Sequence, residues 1–385
     1  MSSTVNPLDI MDECASLALA GKGFTKTNPI VGAVVVKDGK IIGRGWHSEY
    51  GKAHAEVMAI ADAGDVRGAD LYVTLEPCSH HGKTPPCVNK IIETGIKRVF
   101  VGVVDPNPVN AGNGLNILME HGIEVFLGYR EELCAALIED FTKRILTGLP
   151  YYSLKTATSI DGKLATRTKD SKWISSPSAR VYAHYLRSVS DAVMVGVNTV
   201  IADDPQLTVR DVYSENDPYK IVLDPHGRMP EGRKLEENPD KLVYVTEKGA
   251  QTASAARLRE KGAHVLEVSC INGGLDLREL SGKLLGMKIM NILIEGGGET
   301  AGAFFDADLV DKGYFVIAPK VIGGRDAVMT VTGAGVELVA DAKEMLETDI
   351  RHFENDILIS GRFTDYRTHV LDLTEKLRNR CSRGL

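Results

Sequence analysis

Gly51-Lys-Ala-His54-Ala55-Glu56, Leu71-Tyr-Val-Thr-Leu75-Glu76-Pro77-Cys78 and Thr84-Pro-Pro-Cys87 are the stretches that decide how this chain is read. One imidazole and two thiolates can hold a zinc ion and leave its fourth position to water. A nearby carboxylate that is not a ligand can then move protons. His54, Cys78 and Cys87 are the candidate ligands and Glu56 the candidate proton carrier. That set, in that order, suits hydrolytic removal of an amino group from a ring carbon. The competing reading is a structural zinc site, which is normally closed by four protein ligands, with His80 or His81 as the fourth. Eight residues separate Cys78 from Cys87, a departure from the shorter Pro-Cys-x-x-Cys spacing.

Outward from this core, the chain alternates strand-like and helix-like segments. Residues 8–21 show helical spacing of Leu8, Met11, Cys14 and Leu17 and stop at Gly21. Residues 31–46 read as a hairpin whose turn is Asp38-Gly39, a pair suited to a type I′ turn. A helix starts near His54, a strand covers 71–75, and Cys87 opens a helix closed by Gly95. Strands at 99–104 and 125–127 flank a helix at 115–120, and one longer helix is expected over 131–146. The order predicts a layered α/β domain with a largely parallel sheet.

Gly148-Leu149-Pro150 marks a boundary. The second series predicts strands at 152–157, 192–197, 221–223, 242–245, 265–268, 292–294, 314–317 and 357–359. A helix follows Ser176-Pro177, an N-cap followed by proline in the first turn. Domains are therefore expected at 1–148 and 149–368. Residues 369–385 are set apart as a tail, with the charged stretch from 364 onward read as a peripheral helix or a loose end.

Bulk properties narrow the function classes. The chain has 385 residues and a net charge of −7, more than one ordinary domain. The first 148 residues carry 14 basic and 18 acidic side chains, leaving 31 and 34 for the rest, so neither half is a basic nucleic-acid module. No apolar run has the length of a membrane span, and the first residues lack an apolar leader segment. Six cysteines in a chain of this length do not make a disulfide framework, which fits a reducing, cytoplasmic setting. Cys14, Cys134, Cys270 and Cys381 read as buried or incidental thiols.

A wider set of motifs carries a family likeness. Thr27-Asn28-Pro29-x-Val31-Gly32-Ala33, His47-x6-His54-Ala-Glu56, Glu76-Pro77-Cys78 through Cys87, and Asp105-Pro-Asn107-Pro together resemble the deaminase half of the bifunctional riboflavin-biosynthesis deaminase/reductases. The long insert between the cysteines separates that family from cytidine and transfer-RNA adenosine deaminases. The resemblance implies a cytidine-deaminase-like three-layer domain acting on a diaminopyrimidinone ribosylamino 5′-phosphate. It also implies that Asn28 and His47 hold the pyrimidine or ribose. Plain alternatives stand beside these: turn formation for Asn28 and Asn107, and an exposed strand end for His47. Family members usually carry Val where this chain has Asn110, a departure that bears on local packing.

The second half is less explicit. Residues 292–302 run from a strand into Glu295-Gly-Gly-Gly298 and a helix, where backbone N–H groups can meet a phosphate; a simple tight turn is the alternative. The segments around Lys155, Ser159, Asp161-Gly162, Trp173, Val195-Gly196, Asp203-Asp204-Pro205 and Glu295 resemble the reductase half of the same family. That likeness implies a dihydrofolate-reductase-like α/β domain using NADPH. It places Ala157, Trp173, Thr199, Asp203 and the turn Gly297, Gly298, Glu299, Thr300, Ala301, Gly302 and Ala303 at the cofactor. Ser171, Arg187, Leu207, Arg210 and Glu295 fall at the ribosyl phosphate, and Lys155 and Asp203 become candidates for moving protons. Surface ion pairing competes for the two arginines and core packing for Trp173. The expectation is thus a cytoplasmic, homo-oligomeric bifunctional enzyme that acts on a small-molecule pyrimidine ribosyl phosphate, needs zinc and NADPH, and has no nucleic-acid or membrane partner. A base deaminase with an unrelated second half, or a zinc-stabilised interaction protein, are the competing functions.

Overall fold

A computed structural model describes residues 6–82, 84–271 and 273–381. The reading of the N-terminus falls partly on residues 1–5, outside that range. The chain forms two compact units, Met1–Gly148 with Asp365–Leu385 and Leu149–Thr364.

In the first unit the elements run α1 (Pro7–Leu19), β1 (Gly32–Lys37), β2 (Lys40–Trp46), α2 (Ala55–Ala63), β3 (Asp70–Leu75), α3 (Cys87–Thr94), β4 (Arg98–Val103), α4 (Asn113–Glu120), β5 (Glu124–Leu127), α5 (Glu131–Leu137) and α6 (Glu139–Thr147). The sheet order is β2-β1-β3-β4-β5. β1 pairs antiparallel with both β2 and β3, whereas β3, β4 and β5 run parallel. The sheet is thus mixed rather than largely parallel, because a hairpin supplies its first two strands. Asp38 and Gly39 take φ of 51° and 73°, the left-handed pair that a type I′ turn needs.

Alternation along the buried strands feeds two cores. Ala33, Val35, Leu71, Val73, Val99 and Val101 face α2, α3 and α4. Val34, Val36, Tyr72 and Phe100 face the opposite layer, with Ile10, Cys14, Ile138 and Phe141. Both faces being covered, these strands are continuous apolar runs. The expected single helix over 131–146 is broken at Ile138, whose φ is −115°. Leu137, Ile138 and Phe141, at and around the break, are buried in one core.

The expected boundary at 368 and the separate tail are corrected by the structure. A C-terminal helix, Arg367–Arg378, belongs to the first unit. Val370, Leu373 and Leu377 recur at helical spacing and pack against its cores, and Thr374 Oγ1 accepts the Val104 N–H at 3.1 Å. Arg367 and Arg378 pair with Glu139 and Glu131.

The second unit holds β6 (Tyr151–Ser159), β7 (Lys163–Ala165), α7 (Pro177–Ser188), β8 (Ala192–Gly196), α8 (Val197–Asp203), β9 (Tyr219–Leu223), β10 (Leu242–Glu247), α9 (Ala253–Glu260), β11 (His264–Val268), β12 (Cys270–Ile271), β13 (Gly274–Leu275), α10 (Leu277–Gly286), β14 (Asn291–Ile294), α11 (Gly298–Asp306), β15 (Lys312–Ala318), β16 (Val328–Met329), β17 (Leu346–Phe353) and β18 (Asp356–Arg362). Its nine-stranded sheet has the order β11-β10-β9-β8-β14-β6-β15-β18-β17. Strands β11 through β15 are parallel, and β18 and β17 close one edge antiparallel. The chain steps outward from β8 to β11, then returns to insert β14 between β8 and β6. Such a reversal leaves a crevice at the carboxyl ends of the strands, the usual ligand position in open α/β sheets. Among the described residues no helix is long and apolar enough to cross a membrane.

Candidate active sites

The first site is built by helix α2 lying on strand β2. A Cβ on Gly43 or Gly45 would come within 2.3 Å of the Ala59 or Ala55 carbonyl, so only glycine allows this approach. His54 is the N-cap residue of α2 and Glu56 sits in its first turn. Both therefore reach past the helix end toward the strand termini.

Cys78 follows β3, as expected, but the next helix starts at Cys87. The Cys87 N–H donates to Cys78 Sγ at 3.3 Å, so Cys78 still receives the N-terminus of α3. His54 Nδ1 lies 3.5 Å from Cys78 Sγ and 3.3 Å from Cys87 Sγ. All three donor atoms fall within 4.8 Å of one another, spacings that bonds of about 2.0–2.3 Å to a tetrahedral ion subtend. The donor set therefore fits zinc. Neither His80 nor His81 joins this group among the described residues, which disfavours a closed four-ligand site.

Electrostatics support that fit. Hydrogen bonding from Cys87 and His54 overrides burial and draws the Cys78 thiol down to about 4. Glu56 is 4% exposed, and burial, with the Cys78 charge, pushes its carboxyl up to about 7. A carboxyl poised there can both take and return a proton.

A cavity of about 450 Å³ opens over these groups, lined also by Asn28, His47, Asp105 and Asn107. Asn28 Nδ2 and His47 Nε2 are 3.1 Å apart, and His47 Nδ1 meets the Ala53 carbonyl at 3.2 Å. His47 is buried rather than an exposed strand end, and burial lowers its pKa.

Sequence reasoning passed over the groups that hold this loop system. Glu76 accepts backbone N–H bonds from Asp105 (3.2 Å) and Gly112 (3.0 Å) through Oε2 and from Gly114 (2.9 Å) and Leu115 (3.4 Å) through Oε1. Asn110 Oδ1 accepts from Ser79 N at 2.8 Å and Ser79 Oγ at 2.7 Å, and its Nδ2 donates to Asp105 Oδ2 at 3.2 Å. The signals were present in Glu76 before Pro77-Cys78 and in the Asn110 departure.

In the second unit Lys155 and Ala157 lie on the same face of β6, and Thr199 and Asp203 lie on α8, directly after β8. Ser171 Oγ donates to Asp203 Oδ1 at 3.1 Å. Glu295, just past β14, accepts from Arg187 Nε at 2.6 Å and Nη2 at 2.8 Å along one edge of the guanidinium, while Arg187 Nη1 donates to the Thr208 carbonyl. This pair is buried, not a surface ion pair. Burial would raise the Glu295 carboxyl, but Arg187 and then Lys155 hold it down to about 2. Burial lowers Lys155, with Glu295 opposing.

Gly297 is the N-cap of α11, whose first turn holds Gly298, Glu299, Thr300 and Ala301. A Cβ on Gly296 or Gly196 would strike Thr300, whereas one on Gly297 would find nothing nearer than Thr199 Oγ1 at 3.8 Å. Side-chain-free backbone thus borders the crevice beside a helix N-terminus, a cradle that fits the phosphates of a pyridine nucleotide. Ala301 and Gly302 are buried beneath it and Ala303 is exposed on α11. Trp173 is 65% exposed, with the Arg180 guanidinium 4.5 Å from its ring, so it is not a core residue. Arg210 is exposed and donates to Gln206 and Thr208. Leu207 departs from expectation: its side chain is buried among Val193, Val195 and Val222, because φ of 52° turns it inward. Only its backbone can meet a substrate. The remaining cysteines are free, and Cys14, Cys134 and Cys381 are buried.

The two sites define a fused pair of enzymes, a zinc hydrolytic deaminase and a pyridine-nucleotide reductase. The family model of the RibD C-terminal domain matches residues 150–359, and that of the cytidine and deoxycytidylate deaminase zinc-binding region matches residues 7–103. The riboflavin biosynthesis protein RibD of Aquifex aeolicus is 44% identical over 348 residues, 89% of this chain and 95% of the relative. A solved structure of Acinetobacter baumannii RibD matches with TM-score 0.83 and 36% identity, over 93% of this chain and 99% of that one. A Thermotoga maritima deaminase/reductase structure matches with TM-score 0.83 and 34% identity, over 92% and 98%. The chain belongs to the RibD family of bifunctional riboflavin-biosynthesis enzymes, with a zinc-binding, cytidine-deaminase-like N-terminal domain and an NADPH-dependent C-terminal reductase domain.

Proposed function

We propose that the chain deaminates 2,5-diamino-6-ribosylamino-4(3H)-pyrimidinone 5′-phosphate and then reduces its ribosyl side chain to ribityl, in the cytoplasm and as a homo-oligomer. The observation that carries the first step is the His54–Cys78–Cys87 cluster sharing one cavity with the buried Glu56. His54, Cys78 and Cys87 would hold zinc there, and the ion would supply a water acidified toward a pKa of about 7. Glu56 would take the water's first proton and deliver it to the ring nitrogen, then take the second from the hydroxyl added to the ring carbon and deliver it to the amine, which departs as ammonia while the C–N bond breaks and the carbonyl forms. Asn28 and His47 hold the pyrimidine edge, the His47 ring being fixed by its bond to Ala53.

For the second step, NADPH held at the α11 turn would supply a hydride to the ribose C1′, and the ring oxygen released as the ring opens would need a proton. Ala157, Thr199, Trp173 and the α11 turn position the cofactor. Lys155 and Asp203 orient the ribose and move its proton. Arg187 serves through Glu295, holding that carboxylate ionised next to Lys155. Ser171, Arg210 and the Leu207 backbone meet the substrate.

The test is Glu56→Gln. The variant should keep its zinc and its NADPH-dependent activity on the deaminated product. Ammonia release should fall by about 10²-fold or more. Ammonia release at the wild-type rate rejects the proton-carrier role. Failure of the wild-type chain to release ammonia from the pyrimidine phosphate rejects the proposed substrate.

A further inference from the structure

The deaminase cavity contains a cation that the chemistry above does not use. Arg144, on α6, lines the same cavity as the His54–Cys78–Cys87 cluster, on the wall formed with Asp105, Asn107 and Phe141. Its Nε is buried without a hydrogen-bond partner among the described residues. The guanidinium carbon sits 5.1 Å from the centre of the Phe141 ring, a contact that fixes the plane of the group without using its N–H donors.

Nearby acids do not satisfy it. The charges of Asp105 and Asp140 reach Arg144, yet neither carboxylate bonds to it. Asp105 Oδ1 already accepts the Asn107 N–H at 2.8 Å and Oδ2 accepts Asn110 Nδ2. Burial also works against the charged guanidinium. A half-buried cation with an idle donor is costly unless a ligand completes it. A planar fork of N–H donors matches a phosphate dianion, which can take two parallel bonds from it. Lys52 also lines the cavity but is exposed, so water screens its ammonium.

We propose that Arg144 is the phosphate anchor of the deaminase cavity, receiving the substrate's terminal phosphate and setting the preference for phosphorylated over unphosphorylated substrate. The inference rests on the reading of the substrate as a ribosyl phosphate. Asn28 and His47 then hold the ring at the metal end, and α6 holds the opposite end of the molecule. Arg144 is a binding residue, not a participant in proton transfer.

The experiment compares ammonia release from the pyrimidine ribosyl 5′-phosphate and from its dephosphorylated form, using the full-length zinc-loaded chain. Arg144→Gln should raise KM for the phosphorylated substrate by about 10- to 100-fold, the worth of one or two charge-assisted bonds. KM for the dephosphorylated form should move by less than about threefold, within the effect of a surface change. Arg144→Lys, which keeps the charge but not the fork, should fall between wild type and Gln. Rising salt should weaken the wild-type preference for phosphate. Equal effects of Arg144→Gln on both substrates would mean a merely structural role and overturn the assignment, as would no effect on either. A misfolded variant would lose both substrates together, and Arg144→Lys then decides by whether its loss is selective for phosphate. Wild type that ignores the phosphorylated pyrimidine would instead refute the proposed substrate, and this assignment with it.

Discussion

Glu76→Gln should detach the loop system from the strand that carries Cys78. In the native protein each Glu76 oxygen accepts two backbone N–H groups, from Asp105 and Gly112 on one side and from Gly114 and Leu115 on the other. A carboxylate can serve both pairs because it has acceptors only. Glutamine can serve one pair, and in either orientation its NH₂ faces two donors. Burial pushes the Glu76 carboxyl up to about 7 against the pull of these N–H groups, so above that pH two hydrogen bonds to a charged group are lost, each worth about 1.5–3 kcal/mol, and two buried N–H groups are left facing a donor. The expected cost is about 3–6 kcal/mol, a large share of a domain's usual stability of about 5–15 kcal/mol. Cys78 lies two residues beyond Glu76, so the same loosening should reach the metal site. The assay is urea unfolding read through zinc release to a coloured chelator, which isolates the first unit from the second. The midpoint should fall sharply, with faster zinc loss even before unfolding. An unchanged midpoint at unchanged slope would show that the four N–H groups find other partners, and the positioning argument would fail.

The remaining predictions concern the second unit. Glu295 is held at about 2 in the folded chain against an ordinary value of 4.5. A depressed carboxyl contributes stability that is complete above the unfolded pKa and fades as pH falls from about 4.5 to about 2, on the order of 3 kcal/mol in all. Acid titration of unfolding should therefore show a shallower slope in that window for Glu295→Gln than for wild type, and identical slopes would refute the pairing with Arg187. Gly298→Ala would put a Cβ 2.3 Å from the Met329 carbonyl, which must move. NADPH affinity measured by fluorescence should drop by about tenfold or more, equivalent to about 1.4 kcal/mol, while ammonia release stays normal; undiminished NADPH binding would remove that turn from the cofactor site.

Local chemistry explains what could be read from the chain. The Asp38-Gly39 turn was legible because two successive positive φ values admit few residue pairs. The Ser176 cap was legible because its Oγ bonds to the Ala179 N–H three residues away. The metal cluster was legible because few side chains bind zinc, so their order along the chain is informative even when the spacing is unusual. Other features depend on partners far away. β17 (LETDIRHF) is exposed along nearly its whole length, so no burial alternation marked it as a strand. Arg187 and Glu295 meet across 108 residues, and no local pattern tells a guanidinium whether its carboxylate will be a protein side chain or a phosphate. The helix over residues 131–146 had acceptable propensity throughout. Its break at Ile138, where φ is −115°, has no proline or glycine to announce it.

Asn110 shows how a departure from a family pattern can be resolved by geometry. Asn110, read from the sequence as a departure from the family pattern, buries its amide completely, which is unfavourable unless every polar atom is satisfied. The amide meets that condition by bonding Ser79 with its oxygen and Asp105 with its nitrogen. Ser79 follows the candidate ligand Cys78, and Asp105 borders the cavity next to Arg144. The substitution therefore joins the metal end of the cavity to the wall that carries the unpaired arginine, through side-chain bonds that Val cannot form. Asn110 holds Asp105 Oδ2 while the Asn107 N–H holds Oδ1, and the carboxylate so oriented does not bond to Arg144. Asn110 thus helps to orient an acid whose charge reaches the guanidinium at 144, whose Nε stays without a partner among the described residues and open to an incoming anion.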